Sequence, residues 1–340
     1  MSLPEPHLLE RYVAPGAAHV ALAEGQPPLE VCFVLVPRFT MLAFTSALEP
    51  FRMANQLTGR MLFRWSVHSL DGQPVHCSNG LAVLPDGPLP AEAPPGCVLV
   101  CGGVTPDTTM TPALGHWVRA QWRRGRTVGG LCTGAYALAR AGILGGRRFT
   151  LHWENIAGFA ETFPELQPLR QIFCVDERII SCAGGVAAAD LALHLISERC
   201  GPQLARAVMD MCLLSSRRDA GAAQRGSMAA RLATRNATVL RAAEFLEAES
   251  EHGFDLEACA RHVGVAPRQV QRLFRQHLGR TPRQFVNDLR LDRGRMLLAE
   301  TNMSVIEVAM ACGYSTRSAF SKGFRARFGH SPQSFTGFSG

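Results

Sequence analysis

Cys132 is the first residue in this chain whose setting suits chemistry. It follows the apolar run Thr127-Val128-Gly129-Gly130-Leu131 and precedes a helical run over 135–141, with Gly130 and Gly134 close on either side. A sharp strand-to-helix turn of this kind is a nucleophile elbow, and the helix N-terminus behind it favours a thiolate. Gly102 and Gly103, which close the apolar run Cys97–Cys101, are candidate backbone donors to an oxyanion, and His152 is the candidate base. Thr133, Trp153, Glu154 and Asn155 complete the expected wall of a pocket. An aromatic face beside a carboxylate, as in Trp153-Glu154, suits a cationic amine or quaternary ammonium. The same pair also serves as ordinary packing next to a surface charge.

A second set of reactive types lies near the end of the chain, in a pattern written twice. Gly264 recurs as Gly313, 49 residues later, and Phe274 and Gly279 recur as Phe324 and Gly329, 50 residues later. So small a slippage marks two related structural units. In each, a short helix, a glycine turn and a second helix make a helix-turn-helix. Ala260 and Gly264, then Ala309 and Gly313, are small where two helices are expected to cross closely. The second helix of each unit has an inward stripe, read as Val270, Leu273 and Phe274 in the first and Ala319, Phe320 and Phe324 in the second. Arg268, Gln271, Arg272 and Arg275 are then left to solvent in the first, and Arg317, Ser318, Ser321, Lys322 and Arg325 in the second. Arginine pairs bidentately with guanine and glutamine with adenine in the major groove, and serine at a helix N-terminus suits phosphate.

These residues need elements to hold them. Val31–Val36, Phe63–Leu70, Cys97–Cys101, Thr127–Leu131 and a hairpin around Asp176 read as strands, with a short one near Leu81–Leu84. Helices are expected over 42–57, 112–124, 135–141, 185–200 and 204–214. Alternating strands and helices predict an α/β sandwich on a mostly parallel sheet. The rest is helical: 236–248, 256–263, 267–278, a long helix opening at Thr281-Pro282 and bending near Gly294, then 305–311 and 316–328 with Ser315 as cap. The expected organisation is a loosely attached leader 1–28, an α/β domain 29–214, a linker 215–235 rich in Ser, Arg, Gly and Ala, and an all-α domain 236–336.

Charge divides the same way. The chain of 340 residues carries +7, and residues 201–340 hold 20 Arg or Lys against 12 Asp or Glu. The basic excess therefore sits wholly with the repeat, which points to a polyanion as partner. The eleven cysteines are odd in number and mostly in apolar settings, so they read as buried thiols of a reducing compartment rather than disulfides. No cysteine pair has zinc-finger spacing with histidines, so neither metal nor cofactor is expected. The first 26 residues read as neither signal peptide nor anchor, and no apolar span reaches membrane length, so a cytoplasmic protein is expected.

The motifs Ala309-Met310-Ala311-Cys312-Gly313-Tyr314, Phe320-Ser321-Lys322-Gly323-Phe324 and Gly329-His330-Ser331-Pro332-Gln333-Ser334-Phe335 resemble the AraC/XylS family DNA-binding domain over 236–336. That resemblance implies Arg268, Gln271, Arg272, Arg317, Ser318, Ser321 and Lys322 as DNA contacts. It also implies a long helix, 282–298, joining the two units, and recognition helices entering successive major-groove segments about 34 Å apart. Ala266 stands where the family's first recognition helix opens with serine. The Cys132 stretch resembles the DJ-1/PfpI superfamily, allied to class I glutamine amidotransferases and flavodoxin-like in fold. The two together resemble GlxA-type transcription regulators. Two departures stand against catalysis: no acid follows the first strand until Glu49, its place falling at Ala43 or a neighbour, and Thr133 replaces the usual histidine after the cysteine. The resemblance therefore implies a regulator of promoter DNA, usually an activator working beside RNA polymerase. It implies dimerisation through the first domain and a small nitrogenous effector such as arginine, carnitine or glycine betaine. The alternative is a cysteine hydrolase or amidotransferase using Cys132, with DNA binding as a second property.

Overall fold

Side chains alternate across the pleat of the first strand, and that alternation sets the layering of the first unit. In the computed structural model, which describes residues 11–22, 27–251 and 253–336, the strands of this unit are β1 (Leu29–Leu35), β2 (Phe63–Ser69), β3 (Val75–His76), β4 (Ala82–Val83), β5 (Gly87–Pro88), β6 (Gly96–Cys101), β7 (Thr127–Leu131), β8 (Phe173–Asp176) and β9 (Ile179–Cys182). Val31, Phe33 and Leu35 enter one apolar cluster, while Cys32 and Val34 enter the other. Seven strands form one sheet in the order β5-β2-β1-β6-β7-β9-β8, parallel except for β8 against β9, and β3 and β4 make a separate antiparallel ribbon.

Helices α1 (Met41–Thr58), α2 (Pro106–Thr109), α3 (Pro112–Arg123), α4 (Ala135–Arg140), α5 (Ile156–Thr162), α6 (Ala187–Cys200) and α7 (Pro202–Met211) surround the sheet. Phe44 and Phe51 of α1, Leu191 of α6 and Val208 of α7 cover one face. Leu114 and Val118 of α3, Tyr136 of α4 and Phe159 of α5 cover the other. This is the expected α/β sandwich, and its carboxyl strand ends carry the Cys132 turn.

Two segments hold more tightly than the sequence suggested. Residues 11–22 of the supposed loose leader are tied down. Tyr12 is 6% exposed, its hydroxyl donates to the Trp65 carbonyl at 3.0 Å, its own carbonyl accepts from Asn55 Nδ2 at 3.0 Å, and the Val20 N–H donates to Leu57 at 2.7 Å. Of the segment read as linker, 215–224 is a strap on the first unit. Arg218 donates three hydrogen bonds to Asp190, and Gln224 Nε2 donates to the Thr150 hydroxyl and to the Leu151 and Gln171 carbonyls. The chain divides into two compact units between Gln224 and Arg225.

The second unit is helical: α8 (Met228–Leu232), α9 (Ala237–Ala248), α10 (Leu256–Val263), α11 (Pro267–Leu278), α12 (Pro282–Glu300), α13 (Val305–Ala311), α14 (Arg317–Phe328) and α15 (Pro332–Thr336). Local chemistry fixes the ends. Asn236, Asp255, Thr281 and Ser304 side chains each accept a backbone N–H at a helix start. Thr281 with Gln284, and Ser304 with Glu307, close full capping boxes. Gly264 and Gly313 end α10 and precede α14 at φ of 75° and 73°, the left-handed region that side chains disfavour. The added Cβ at Gly264 would meet nothing within 4 Å, so its role is the turn and not the close helix crossing expected for it.

Candidate nucleic-acid interface and effector site

α11 and α14 are the second helices of the two helix-turn-helix units. In α11, Val270, Leu273 and Phe274 are buried against Cys259, Ala260 and Val263 of α10, and Arg268, Gln271, Arg272 and Arg275 are exposed. In α14, Phe320 and Phe324 are fully buried, while Arg317, Ser318, Lys322 and Arg325 are exposed and Ser321 is half-buried. Ala319 is exposed, so its inward assignment is corrected: Phe320 and Phe324 fill the crossing and leave the methyl on the outer face. The cap of α14 is Thr316, not Ser315, since the Thr316 hydroxyl accepts the Ala319 N–H at 3.2 Å. α11 opens at Ala266 with no side-chain cap. Arg317 Nη2 donates to Gln333 Oε1 at 3.0 Å, so one exposed guanidinium of this face is held in place.

α11 thus offers a row of cationic and amide groups and α14 a row of cationic and hydroxyl groups, each on an apolar-backed helix. A helix of this kind fits the major groove, whose base edges present the matching donors and acceptors.

The elbow of the first unit gathers residues from the carboxyl ends of β1, β6 and β7. Cys132 sits at φ 58°, a strained left-handed conformation for a side chain, and is 6% exposed. Gly184 packs so closely that an added Cβ would fall 2.7 Å from the Cys132 Cβ. The Thr40 hydroxyl lies 3.6 Å from Cys132 Sγ. Thr40 thus stands beside the sulfur, and Ala43, which with its neighbours marked the expected place of the superfamily's acid, is buried in α1. The oxyanion reading of Gly102 is corrected, because its N–H donates to the Leu131 carbonyl at 3.1 Å. Thr133 is fully buried, its hydroxyl donating to the Gly103 carbonyl at 2.7 Å, which welds the elbow to the end of β6.

The 150–156 segment closes on the same place. The His152 N–H donates to the Cys132 carbonyl at 3.4 Å, and the Asn155 N–H donates to the His152 carbonyl at 3.0 Å. Asn155 is buried, Trp153 is 38% exposed with its ring centroid 5.6 Å from that of His152, and Glu154 lies on the surface with Oε2 3.9 Å from His152 Nδ1. Burial pushes the His152 pKa below its ordinary 6.5, against the pull of the Glu154 carboxylate and the hydrogen bond with Asn155. His152 is accordingly neutral at pH 7. Burial also raises the neighbouring Cys182 thiol to about 12 and raises that of Cys101, so both stay protonated. Among the described residues no group of three or more His, Cys, Asp or Glu could hold a metal ion.

A groove of about 230 Å³ lies elsewhere, between α1 and α6, lined by Thr45, Glu49, Met53, Val186, Ala189 and Leu214. It includes no elbow residue, and its carboxylate is spent on Arg52 at 2.6 Å.

A helix-turn-helix domain model matches residues 259–337, and the DJ-1/PfpI family model matches residues 30–198. The HTH-type transcriptional regulator CdhR of Pseudomonas aeruginosa is 42% identical over 300 residues, covering 88% of this chain and 89% of that protein. The regulator GlxA of Rhizobium meliloti is 37% identical over 323 residues, covering 94% and 99%. The chain belongs to the GlxA-type family of transcription regulators. GbdR of Pseudomonas aeruginosa, another such regulator, is 38% identical over 310 residues, covering 91% of this chain and 84% of that protein. The crystal structure of an AraC family transcriptional regulator from Pseudomonas putida matches with a TM-score of 0.50 at 30% identity, over 54% of this chain and 100% of that one.

As a GlxA-type regulator the protein binds DNA and controls transcription, with an AraC-type unit for the duplex and a DJ-1/PfpI-like unit ahead of it. These relatives bear the description of transcriptional regulators, which favours the regulator reading over the enzyme reading of Cys132. The sequence missed Thr40, Arg218 and Gln224. Their partners lie 92, 28 and 53 to 74 residues away, and no local pattern pairs them.

Proposed function

We propose that this regulator activates transcription when a small nitrogenous metabolite occupies the Cys132 elbow. The class is an amino acid, amine or quaternary ammonium compound, with arginine, carnitine and glycine betaine as first candidates. The observation that carries the reading is His152 flanked by the exposed Trp153 ring, 5.6 Å between centroids, and by the Glu154 carboxylate at 3.9 Å, next to an elbow with a hydroxyl at its sulfur. A cation over an indole face gains about 0.5–2 kcal/mol, more where water is excluded. Gly102, Gly103, Cys132, Thr133, His152, Trp153, Glu154 and Asn155 are the proposed site. Titration calorimetry with those three compounds tests it: binding by one of them, weakened in Trp153→Ala and Glu154→Gln, is expected. Equal affinity in both variants overturns the placement.

On the DNA side we propose Arg268, Gln271, Arg272 and Arg275 of α11, and Arg317, Ser318, Ser321 and Lys322 of α14, as the contacts to double-stranded promoter DNA. All but the half-buried Ser321 are exposed. RNA polymerase is the proposed second macromolecular partner, in the cytoplasm. Among the described residues no helix is long and apolar enough to cross a membrane. A homodimer through the first unit is proposed from Leu42, Val186 and Leu213, which are 52%, 45% and 92% exposed, Val186 lining the α1–α6 groove. Sedimentation of Leu42→Arg/Val186→Arg as a monomer, against a wild-type dimer, is the expected result.

A further inference from the structure

The two helix-turn-helix units have separate apolar interiors. Val270, Leu273 and Phe274 pack with α9 and α10, whereas Phe320 and Cys312 close on Gly294. Among the described residues α12 meets both, Phe285 and Val286 packing in the first and Gly294 facing Phe320 in the second. Apolar packing alone therefore leaves the angle between the two recognition helices to one shared helix.

Polar groups on α12 span the gap. Asp288 Oδ2 accepts from Arg280 at 2.8 Å, just past the C-terminal end of α11, and its Oδ1 lies 2.8 Å from Arg327 Nη1 in the last turn of α14. One carboxylate thus holds the tail of both recognition helices. Arg327 also grips Asp292, at 2.8 Å to Oδ2 and 2.9 Å to Oδ1. On the same helix, Arg290 donates from Nε to the Ser250 carbonyl at 2.7 Å in the first unit and from Nη1 to the Gly313 carbonyl at 3.2 Å in the turn of the second. Two residues of opposite charge, two positions apart, each make one bond to each unit.

We propose that Asp288 and Arg290 are positioning residues that fix the phase of the two recognition helices, and hence the spacing between the two half-sites the protein accepts. The proposal rests on the DNA-binding reading and goes beyond it, since neither residue is a proposed contact to DNA. A single base pair moves a half-site by about 3.4 Å and turns it by about 35°. A linkage that rotates freely by such an amount accepts neighbouring spacings; a clamped one rejects them.

The test is selection of duplexes from a random library by the full-length protein, run in parallel with wild type, Asp288→Asn and Asp288→Asn/Asp292→Asn. The asparagine variants keep shape and lose the ionic grip, and circular dichroism checks that they fold. Wild type is expected to enrich one bipartite motif at one spacing and to lose about tenfold affinity on a one-base-pair insertion. The variants are expected to enrich the same half-sites over several spacings, with the insertion costing less than about threefold. Removing carboxylates strengthens attraction for any duplex, so the comparison between spacings is the readout. A single unchanged spacing in both variants overturns the clamp while leaving DNA reading intact. A wild-type pool without any enriched motif overturns the DNA reading, and the clamp with it.

Discussion

Replacing Arg218 with alanine should loosen the strap that leads out of the first unit. Asp190 is 3% exposed and receives the Arg218 N–H at 2.8 Å, Nε at 3.0 Å and Nη2 at 2.7 Å. Arg218→Ala keeps the backbone bond and removes two charge-assisted ones, leaving a buried carboxylate short of partners. Breaking a fully buried pair costs about 3–5 kcal/mol. The Arg218 side chain is 43% exposed, so water replaces part of what is lost. We therefore expect about 2 kcal/mol. Asp190→Asn removes the buried charge itself and strands only an arginine that water can solvate, so about 1 kcal/mol is expected. For a unit of this size the alanine variant should melt about 4–8 °C lower, and the asparagine variant about half as far. Calorimetric scanning of the whole protein reads both. Equal shifts in the two variants, or a shift under about 1 °C for Arg218→Ala, refute the reasoning. Gly184 abuts Cys132, Asp190 follows it on α6, and Gln224 bonds the segment that runs into His152, so the strap ties into the elbow of its own unit.

Gly294→Ala should cost the second unit about 1–3 kcal/mol, because the added methyl would lie 2.6 Å from a ring carbon of the fully buried Phe320; thermal denaturation reads the loss, and Phe320→Leu in the same chain should restore part of it. Lowered by burial, the His152 pKa means the folded state binds fewer protons than the unfolded one. Its share of stability is full above the ordinary 6.5 and fades as pH falls through the depressed value, so a pH series of melting points should slope there, and His152→Gln should flatten that part. Cys132→Ser should keep effector-dependent transcription within about threefold, because on the proposed reading the cysteine lines the effector site without reacting; complete loss of response in a folded variant contradicts this.

The fold was legible wherever one local pattern sufficed. Cys97–Cys101 is apolar on every residue because both faces of β6 are covered, and Thr281-Pro282 carries its own cap. β5 escaped notice: two residues, Gly87 and Pro88, at the edge of the sheet have neither length nor hydrophobic alternation. Ala319 and Ser315 went astray for a related reason. Alanine suits either side of a helix, and adjacent Ser315 and Thr316 both have a capping hydroxyl, so geometry alone chooses. Gly294 was read as a bend, whereas close approach of Phe320 is what requires it. At the elbow, Cys132 was visible from its flanking glycines. The identity of its neighbour as Thr40, the use of the Gly102 N–H by Leu131 and the bridging by Asp288 are all long-range pairings, and composition does not encode them.

The account stands or falls on two exposed helix faces reading one duplex. The direct measurement is the affinity of the full-length Arg272→Ala/Lys322→Ala protein for the duplex selected by wild type, taken across a range of salt. Each change alone should cost about 1–3 kcal/mol, and together they should bring binding down to the level of random DNA, with the melting point unchanged. Wild-type affinity and salt dependence in the double variant would contradict it.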